Sequence, residues 1–281
     1  MPRLYAISDL HVGHDENLRL VATLGGGAED WLVLGGDLGE TPAHLEHVLE
    51  LVVPRFAQIV WVPGNHELWT FRAGDPRGEA KYDQLVAICR ARGVLTPEDP
   101  YPIWDPIGDD SDRRLAIVPM FLLYDYSFRP AAIAHRDVVA WAAEENSVCA
   151  DEELLWPDPH PSREAWCAVR VAATERRLAA LPDDVDTILI NHFPLRQRHA
   201  ILPRIPRFTP WCGTRKTDDW HLRFRARAVI YGHLHIPRTF VEDGVAFEEV
   251  SLGYPSQRRF RGFPGLRQVW PRPPHAADAK R

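Results

Sequence analysis

The sequence predicts an α/β protein built on a parallel sheet. Short apolar runs of strand length recur along the chain, each closes on a polar elbow, and segments with apolar residues at helical spacing lie between them. In open sheets of this kind the functional loops lie beyond the carboxyl ends of the strands, and every elbow falls at such an end.

The elements follow in order. Leu4 to Ile7 leads into S-D-L-H, Trp31 to Leu34 into G-G-D-L-G, and Gln58 to Val62 into P-G-N-H-E. Glu16 to Leu24 and Pro42 to Leu51 read as the intervening helices, the second opened by Thr41 as N-cap and Pro42 at the first helical position. Lys81 to Arg92 reads as a further helix, and Leu115 to Val118 as a strand closed by Pro119. From Phe121 to Trp166 aromatics, prolines and mixed charge interrupt the rhythm, so a lid-like insertion is expected there. The rhythm returns with the helix Arg163 to Leu181, the strand Thr187 to Ile190 delivering N-H-F-P, and the strand Ala228 to Tyr231 delivering G-H-L-H. Thr239 to Glu242 and Val245 to Val250 form a hairpin about Asp243-Gly244. One domain over residues 1–270 is expected, with a disordered tail over 271–281.

Bulk properties narrow the function. The chain has 281 residues, 45% hydrophobic, which is ample for a core. Its formal charge of -6 argues against a general nucleic-acid binder. No apolar stretch suits a signal peptide or a membrane span, so a cytoplasmic protein is expected, with no membrane partner. Cys89, Cys149, Cys167 and Cys212 lie far apart without a C-x-x-C pair and read as reduced packing residues. Residues 192–217 hold Arg196, Arg198, Arg204, Arg207, Arg215 and Lys216 with no acid among them, a candidate electropositive rim.

The strand-end residues are Asp9, His11, Asp37, Asn65, His66, His192, His233 and His235. Carboxylates, an amide and imidazoles without thiolate suit manganese, iron or zinc at a mixed N/O site. The set exceeds the needs of one ion, so two divalent metals are expected, with a carboxylate such as Asp37 bridging them. In an extended segment, His233 and His235 would leave the same face. Taken singly, Asp9 as a helix cap, Asp37 as a turn residue and His192 as a satisfied interior histidine are competing accounts.

D-x-H, G-D, G-N-H-E, a lone strand-end histidine and G-H-x-H, in this order, resemble the calcineurin-like metallophosphoesterase superfamily. The resemblance implies a four-layer α/β/β/α sandwich with two mixed β-sheets. It implies Asp9, His11, Asp37 and His235 on one metal, and Asp37, Asn65, His192 and His233 on the other. His66 would stabilise the transition state or protonate the leaving group, while the metals acidify a shared water for attack on phosphorus. G-G-D-L-G-E-T lacks the arginine of the protein serine/threonine phosphatase motif G-D-x-V-D-R-G, which disfavours protein dephosphorylation.

W-V-P-G-N-H-E-L-W-T, V-P-M-F-L-L-Y-D-Y-S-F, W-C-G-T-R-K-T-D-D-W-H and Y-G-H-L-H-I-P-R-T resemble an actinobacterial subgroup that includes a hydrolase of the 4'-phosphopantetheine arm of acyl carrier proteins. A phosphodiesterase acting on holo acyl or peptidyl carrier proteins is thereby expected. Arg215 and Lys216 would contact the acidic carrier, and Tyr124 and Tyr126 the arm, with core packing the competing role for the tyrosines. Two other readings are a phosphoesterase for nucleotides or other small esters, and a scaffold that keeps the fold without catalysis. Against the scaffold, His66 and all seven ligand positions are filled.

Overall fold

The computed structural model describes residues 2–104, 113–259, 262 and 265–273. It contains the strands β1 (Leu4–Ile7), β2 (Trp31–Leu34), β3 (Gln58–Trp61), β4 (Ile103–Trp104), β5 (Arg114–Pro119), β6 (Val185–Ile190), β7 (Ala226–Tyr231), β8 (Arg238–Glu242), β9 (Val245–Glu249) and β10 (Arg267–Trp270). The α-helices are α1 (Asp15–Val21), α2 (Pro42–Val52), α3 (Gly78–Arg90), α4 (Val138–Ala143), α5 (Asp151–Leu154), α6 (Arg163–Ala179), α7 (Trp220–Arg223) and α8 (Pro255–Arg258).

Two mixed sheets form, in the orders β10-β1-β2-β3 and β4-β5-β6-β7-β9-β8. In the first, β1, β2 and β3 are parallel and β10 runs antiparallel along β1. In the second, β5, β6, β7 and β9 are parallel, and β4 and β8 are antiparallel edges. Side chains alternate across each strand. Leu4, Ala6, Val33, Val60 and Val269 meet Ile117, Ile188, Ile190, Ala228 and Ile230 in a buried layer between the sheets. Ile7, Leu32, Leu34, Val118, Leu189 and Val229 turn outward into a second buried cluster that includes helix residues such as Leu45, Leu85 and Cys167. Both faces of the central strands are thus covered, which is why they read as continuous apolar runs. This is the four-layer sandwich that the motifs implied.

The local signals operate as expected in α2, where the Thr41 hydroxyl accepts from His44 N at 3.2 Å and proline stands in the first turn. Asp243 and Gly244 take φ values of 51° and 77° at the β8-β9 turn, the left-handed pair that a two-residue hairpin requires. The strand β10 carries no alternating apolar signal and is defined by pairing along β1. All four cysteines are free and buried, as packing residues are. Residues 274–281 of the expected tail lie outside the described residues.

The expected insertion needs correction at its start. Phe121, Leu122, Leu123, Tyr124, Tyr126 and Phe128 are all buried, so this aromatic stretch is core rather than cover. Further on, Trp69 pairs with Leu155 in an isolated bridge, and the segment packs onto the loop that follows β3.

Ile190 sits wholly buried in the layer between the sheets. Ile190→Ala is expected to cost about 2–5 kcal/mol of stability in urea unfolding; an undetectable loss would contradict this packing.

Candidate metal centre

The loops beyond β1, β2, β3, β6 and β7 converge where the two sheets approach each other. There Ser8 pairs with Ser251, Ser8 N donates to Val250 O at 3.1 Å, and Leu252 N donates to Ser8 O at 2.8 Å. The elbows are knitted to one another by their backbones: Asp9 N donates to Gly36 O, His11 N to Asp37 O, and Gly232 N to His192 O.

Asp9, His11, Asp37, His233 and His235 all adopt left-handed backbone, with φ between 42° and 69°. For residues other than glycine this conformation is uncommon and costs roughly 1–3 kcal/mol each. It also revises the expected strand alternation of His233 and His235, because neither residue is extended. Their convergence comes from two successive left-handed turns after β7. Two glycines permit the close approach. A Cβ on Gly64 would lie 2.1 Å from Asp37 Oδ1, and one on Gly232 would lie 2.3 Å from Asp9 Oδ2.

The donor atoms fall into overlapping groups, each within 4.8 Å: Asp9, His11 and His235; His11, Asp37 and His66; and Asp37, His192 and His233. His235 Nε2 lies 3.1 Å from both Asp9 Oδ1 and His11 Nε2, and His192 Nε2 lies 3.4 Å from Asp37 Oδ2. Asn65 joins them, its Nδ2 donating to Asp151 Oδ1 at 2.8 Å. That bond directs Asn65 Oδ1 away from Asp151, and the oxygen is buried without a hydrogen-bond partner.

These atoms fit metal ions. His233 Nε2 is likewise buried without a hydrogen-bond partner, an expensive state for a polar atom unless a cation completes it, and His192 Nε2 has only the Asp37 carboxylate at 3.4 Å. His192 Nδ1 lies 2.9 Å from Gly35 O and His235 Nδ1 lies 2.9 Å from Gln257 Oε1, so each Nδ1 is engaged away from the cluster and each Nε2 faces it, toward Asp37 and Asp9 respectively. The electrostatics ask for positive charge. Burial opposes ionisation of Asp9 and Asp37, yet His192 and neighbouring imidazoles hold both below the usual carboxylate range. Burial likewise opposes protonation of His192, but Asp37 and Asp9 outweigh it and push its pKa up to about 10. His233, penalised by burial and by His192, is pushed down to about 3.

His66 lies at the cavity wall rather than under it. Its ring packs on Trp69 with centroids 3.6 Å apart, its backbone N–H donates to Asp37 Oδ1 at 2.9 Å, and its Nδ1 stands 3.6 Å from Glu40 Oε1. Burial lowers its pKa, but Asp37 and Glu40 outweigh burial and the net shift is upward.

Supporting residues carry much of this geometry, and most of them had no assigned role in the motifs. Glu67, quoted within G-N-H-E, accepts from the backbone N–H of Asp37, Leu38 and Gly64 at 2.8, 2.8 and 3.0 Å, tying two ligand loops together. Asp151 orients both Asn65 and Trp69, whose Nε1 donates to Oδ1 at 2.6 Å. Ser8 and Ser251 hydroxyls donate to Asp9 Oδ2 at 2.5 and 2.7 Å. Glu67 and Ser8 stand within quoted motifs, whereas Asp151 carried no local signal.

The expected substrate contacts fare differently. Tyr124 is fully buried, and Tyr126 is buried with its hydroxyl donating to Glu152 at 2.6 Å, so neither ring offers a surface. Their packing against Phe193 and Trp211 is the reason. Arg215 is exposed and bonds Gln197 Oε1, and Lys216 pairs with Asp125 at 3.1 Å; neither lines the metal cavity. The expected electropositive rim is largely neutralised. Arg196 and Arg198 pair with Glu242, and Arg207 with Glu144 and Glu145. These acids come from other parts of the chain.

A cavity of about 300 Å³ opens above the cluster, lined by Asp37, Asn65, His66, His233 and His235 on one side and by Val148, Leu202, Ile205 and Phe208 on another. Among the described residues, no helix is long and apolar enough to cross a membrane.

Known proteins resemble the chain over most of its length. The family model described as calcineurin-like phosphoesterase matches residues 2–237. The [acyl-carrier-protein] phosphodiesterase PptH of Mycobacterium tuberculosis is 50% identical over 281 residues, covering 98% of this chain and 85% of its own length. The crystal structure of phosphopantetheinyl hydrolase (PptH) from Mycobacterium tuberculosis superposes with a TM-score of 0.92 at 49% identity, covering 98% of each chain.

Removing the Glu67 carboxylate frees three backbone donors that hold the Asp37 and Asn65 loops. Glu67→Ala is expected to weaken metal affinity by roughly 10- to 100-fold in calorimetric titration with manganese, with Glu67→Gln in between. Wild-type affinity in both variants would show that the loops hold their shape without it.

Proposed function

The chain belongs to the calcineurin-like phosphoesterase family, and from that premise we propose that it is a dinuclear-metal phosphodiesterase that hydrolyses 4'-phosphopantetheine from holo acyl or peptidyl carrier proteins. One observation carries the substrate: the 50% identity to the carrier-protein phosphodiesterase PptH, which extends over 98% of this chain.

Asp9, His11, Asp37 and His235 would hold one ion, and Asp37, Asn65, His192 and His233 the other. Two divalent cations held there would supply the charge that binds phosphate and would lower the pKa of water toward neutral. A donor set without thiolate favours manganese or iron and also accommodates zinc. Water adds to phosphorus, the P–O bond to the carrier serine breaks, and the serine oxygen takes a proton. His66 is suited to give that proton. Glu40 and Trp69 fix its ring, and with Nδ1 turned to Glu40 the Nε2 atom faces the cluster, 3.8 Å from Asp37 Oδ2, where it would meet the leaving oxygen, a contribution of roughly 10²- to 10⁴-fold for a general acid. The four free buried thiols are compatible with work in the reducing cytoplasm.

The test is the mass of the carrier. Holo-carrier protein incubated with this protein and manganese is expected to lose the mass of the arm, while His66→Ala and Asp37→Ala proteins of native circular dichroism leave it intact. An unchanged carrier mass, under conditions where an aryl phosphodiester is cleaved, would refute the substrate. A fully active double variant would refute the site.

A further inference from the structure

The metal cavity is chemically lopsided. Its polar side is explained by phosphate and metal ions, but the opposite side is a wall of Val148, Leu202, Ile205 and Phe208, with Leu234 between the two histidines of the loop after β7. A phosphate has no use for such a surface. Ile205 is 44% exposed and Val148 38% exposed, so two branched aliphatic side chains stand open to solvent at the mouth of a highly polar site. Isolated exposed apolar residues need no explanation, but apolar residues from two distant segments converging on one cavity do.

The wall begins against a metal ligand: the Phe208 ring stacks on His233 with centroids 5.7 Å apart. It is also held in place. Arg207 pairs with Glu144 and Glu145 just beyond α4, which ties the segment bearing Leu202, Ile205 and Phe208 to the one bearing Val148. Whatever covers this wall must therefore be apolar, branched and attached close to the phosphorus. Trp69 and Tyr254 also line the cavity, but each already has a face packed on a site histidine, His66 at 3.6 Å and His11 at 4.4 Å, and a flat nucleobase is a poor match for the aliphatic knobs of Val148, Leu202 and Ile205. In 4'-phosphopantetheine the quaternary carbon with its two methyl groups is separated from the ester oxygen by a single methylene. No other part of the arm is both apolar and so near the phosphate.

We infer that the wall formed by Val148, Leu202, Ile205 and Phe208 is the subsite for the gem-dimethyl group of the phosphopantetheine arm, and that it selects this arm over other phosphodiesters. The inference rests on the proposed carrier-protein phosphodiesterase activity and adds to it which residues read the arm. The cavity, at about 300 Å³, lies at the small end of ligand pockets, so it takes an arm while the folded carrier stays outside.

The experiment uses two small diesters, the methyl ester of 4'-phosphopantetheine and its analogue with both methyls of the quaternary carbon replaced by hydrogen, alongside holo-carrier protein. The unaltered protein is expected to favour the dimethyl compound in kcat/KM by about tenfold or more. Ile205→Ser and Val148→Ser, both at solvent-exposed positions, are expected to bring that ratio toward one, with Ile205→Val retaining it. Because a ratio is read on one protein preparation, partial loss of folded protein does not disturb it. Cleavage of holo-carrier by a wild type that shows no preference, or serine variants that keep the full preference, would overturn the inference and leave the proposed function standing. A wild type that cleaves an aryl diester but neither holo-carrier nor either pantetheine ester would bring down both.

Discussion

Two carboxylates placed side by side away from water set the terms for everything around them. Asp9 and Asp37 are 0% and 2% exposed. Negative charges in such surroundings must be answered by positive charge and by directed hydrogen-bond donors, or they will not remain ionised. The molecule answers with backbone N–H groups of His66 and His233, the hydroxyls of Ser8 and Ser251, and a ring of imidazoles, of which His192 and His235 have Nδ1 already committed. The left-handed turns at five ligand residues are part of the same solution, because they aim short side chains inward from elbows that would otherwise carry them past one another. The sheets in turn supply a rigid floor, which is what allows strained turns to persist.

Much of this was legible in the chain. The apolar runs end in Gly, Asp, Asn and His because parallel strands covered on both faces have little room for polar residues until they emerge, so strand and site are announced by the same boundary. Thr41-Pro42 and Asp243-Gly244 worked for the same reason, since each needs only its immediate neighbours. What escaped notice depends on distant partners. β10 exists because β1 offers it an edge, and Asp151 matters because Asn65 and Trp69 point at it. The burial of Tyr124 and Tyr126 was open between two roles in the sequence, and only the position of Phe193 and Trp211 decides it.

The arginine-rich stretch teaches a related lesson about charge. Read linearly, residues 192–217 are uniformly basic; in space Arg196, Arg198, Arg207 and Lys216 each meet carboxylates from other segments. These pairs are partly or largely exposed, where such contacts add little stability. Their effect is positional: they fasten the segment carrying Phe208 to the rest of the molecule and leave the cavity with an apolar flank instead of a cationic one. Recognition at this site is thus divided between cations that read the phosphate and hydrocarbon that reads what hangs from it.

The meeting of Asp9 with His235 across 226 residues has a consequence for biosynthesis. During translation the first strand and its aspartate leave the ribosome long before the last imidazole is made, and no partial chain can offer a complete set of ligands. A full set of ligands is therefore on offer only once both halves have closed, and a metal bound there would favour that conformer over every incomplete one. Ion binding would thereby reward molecules whose distant halves have closed.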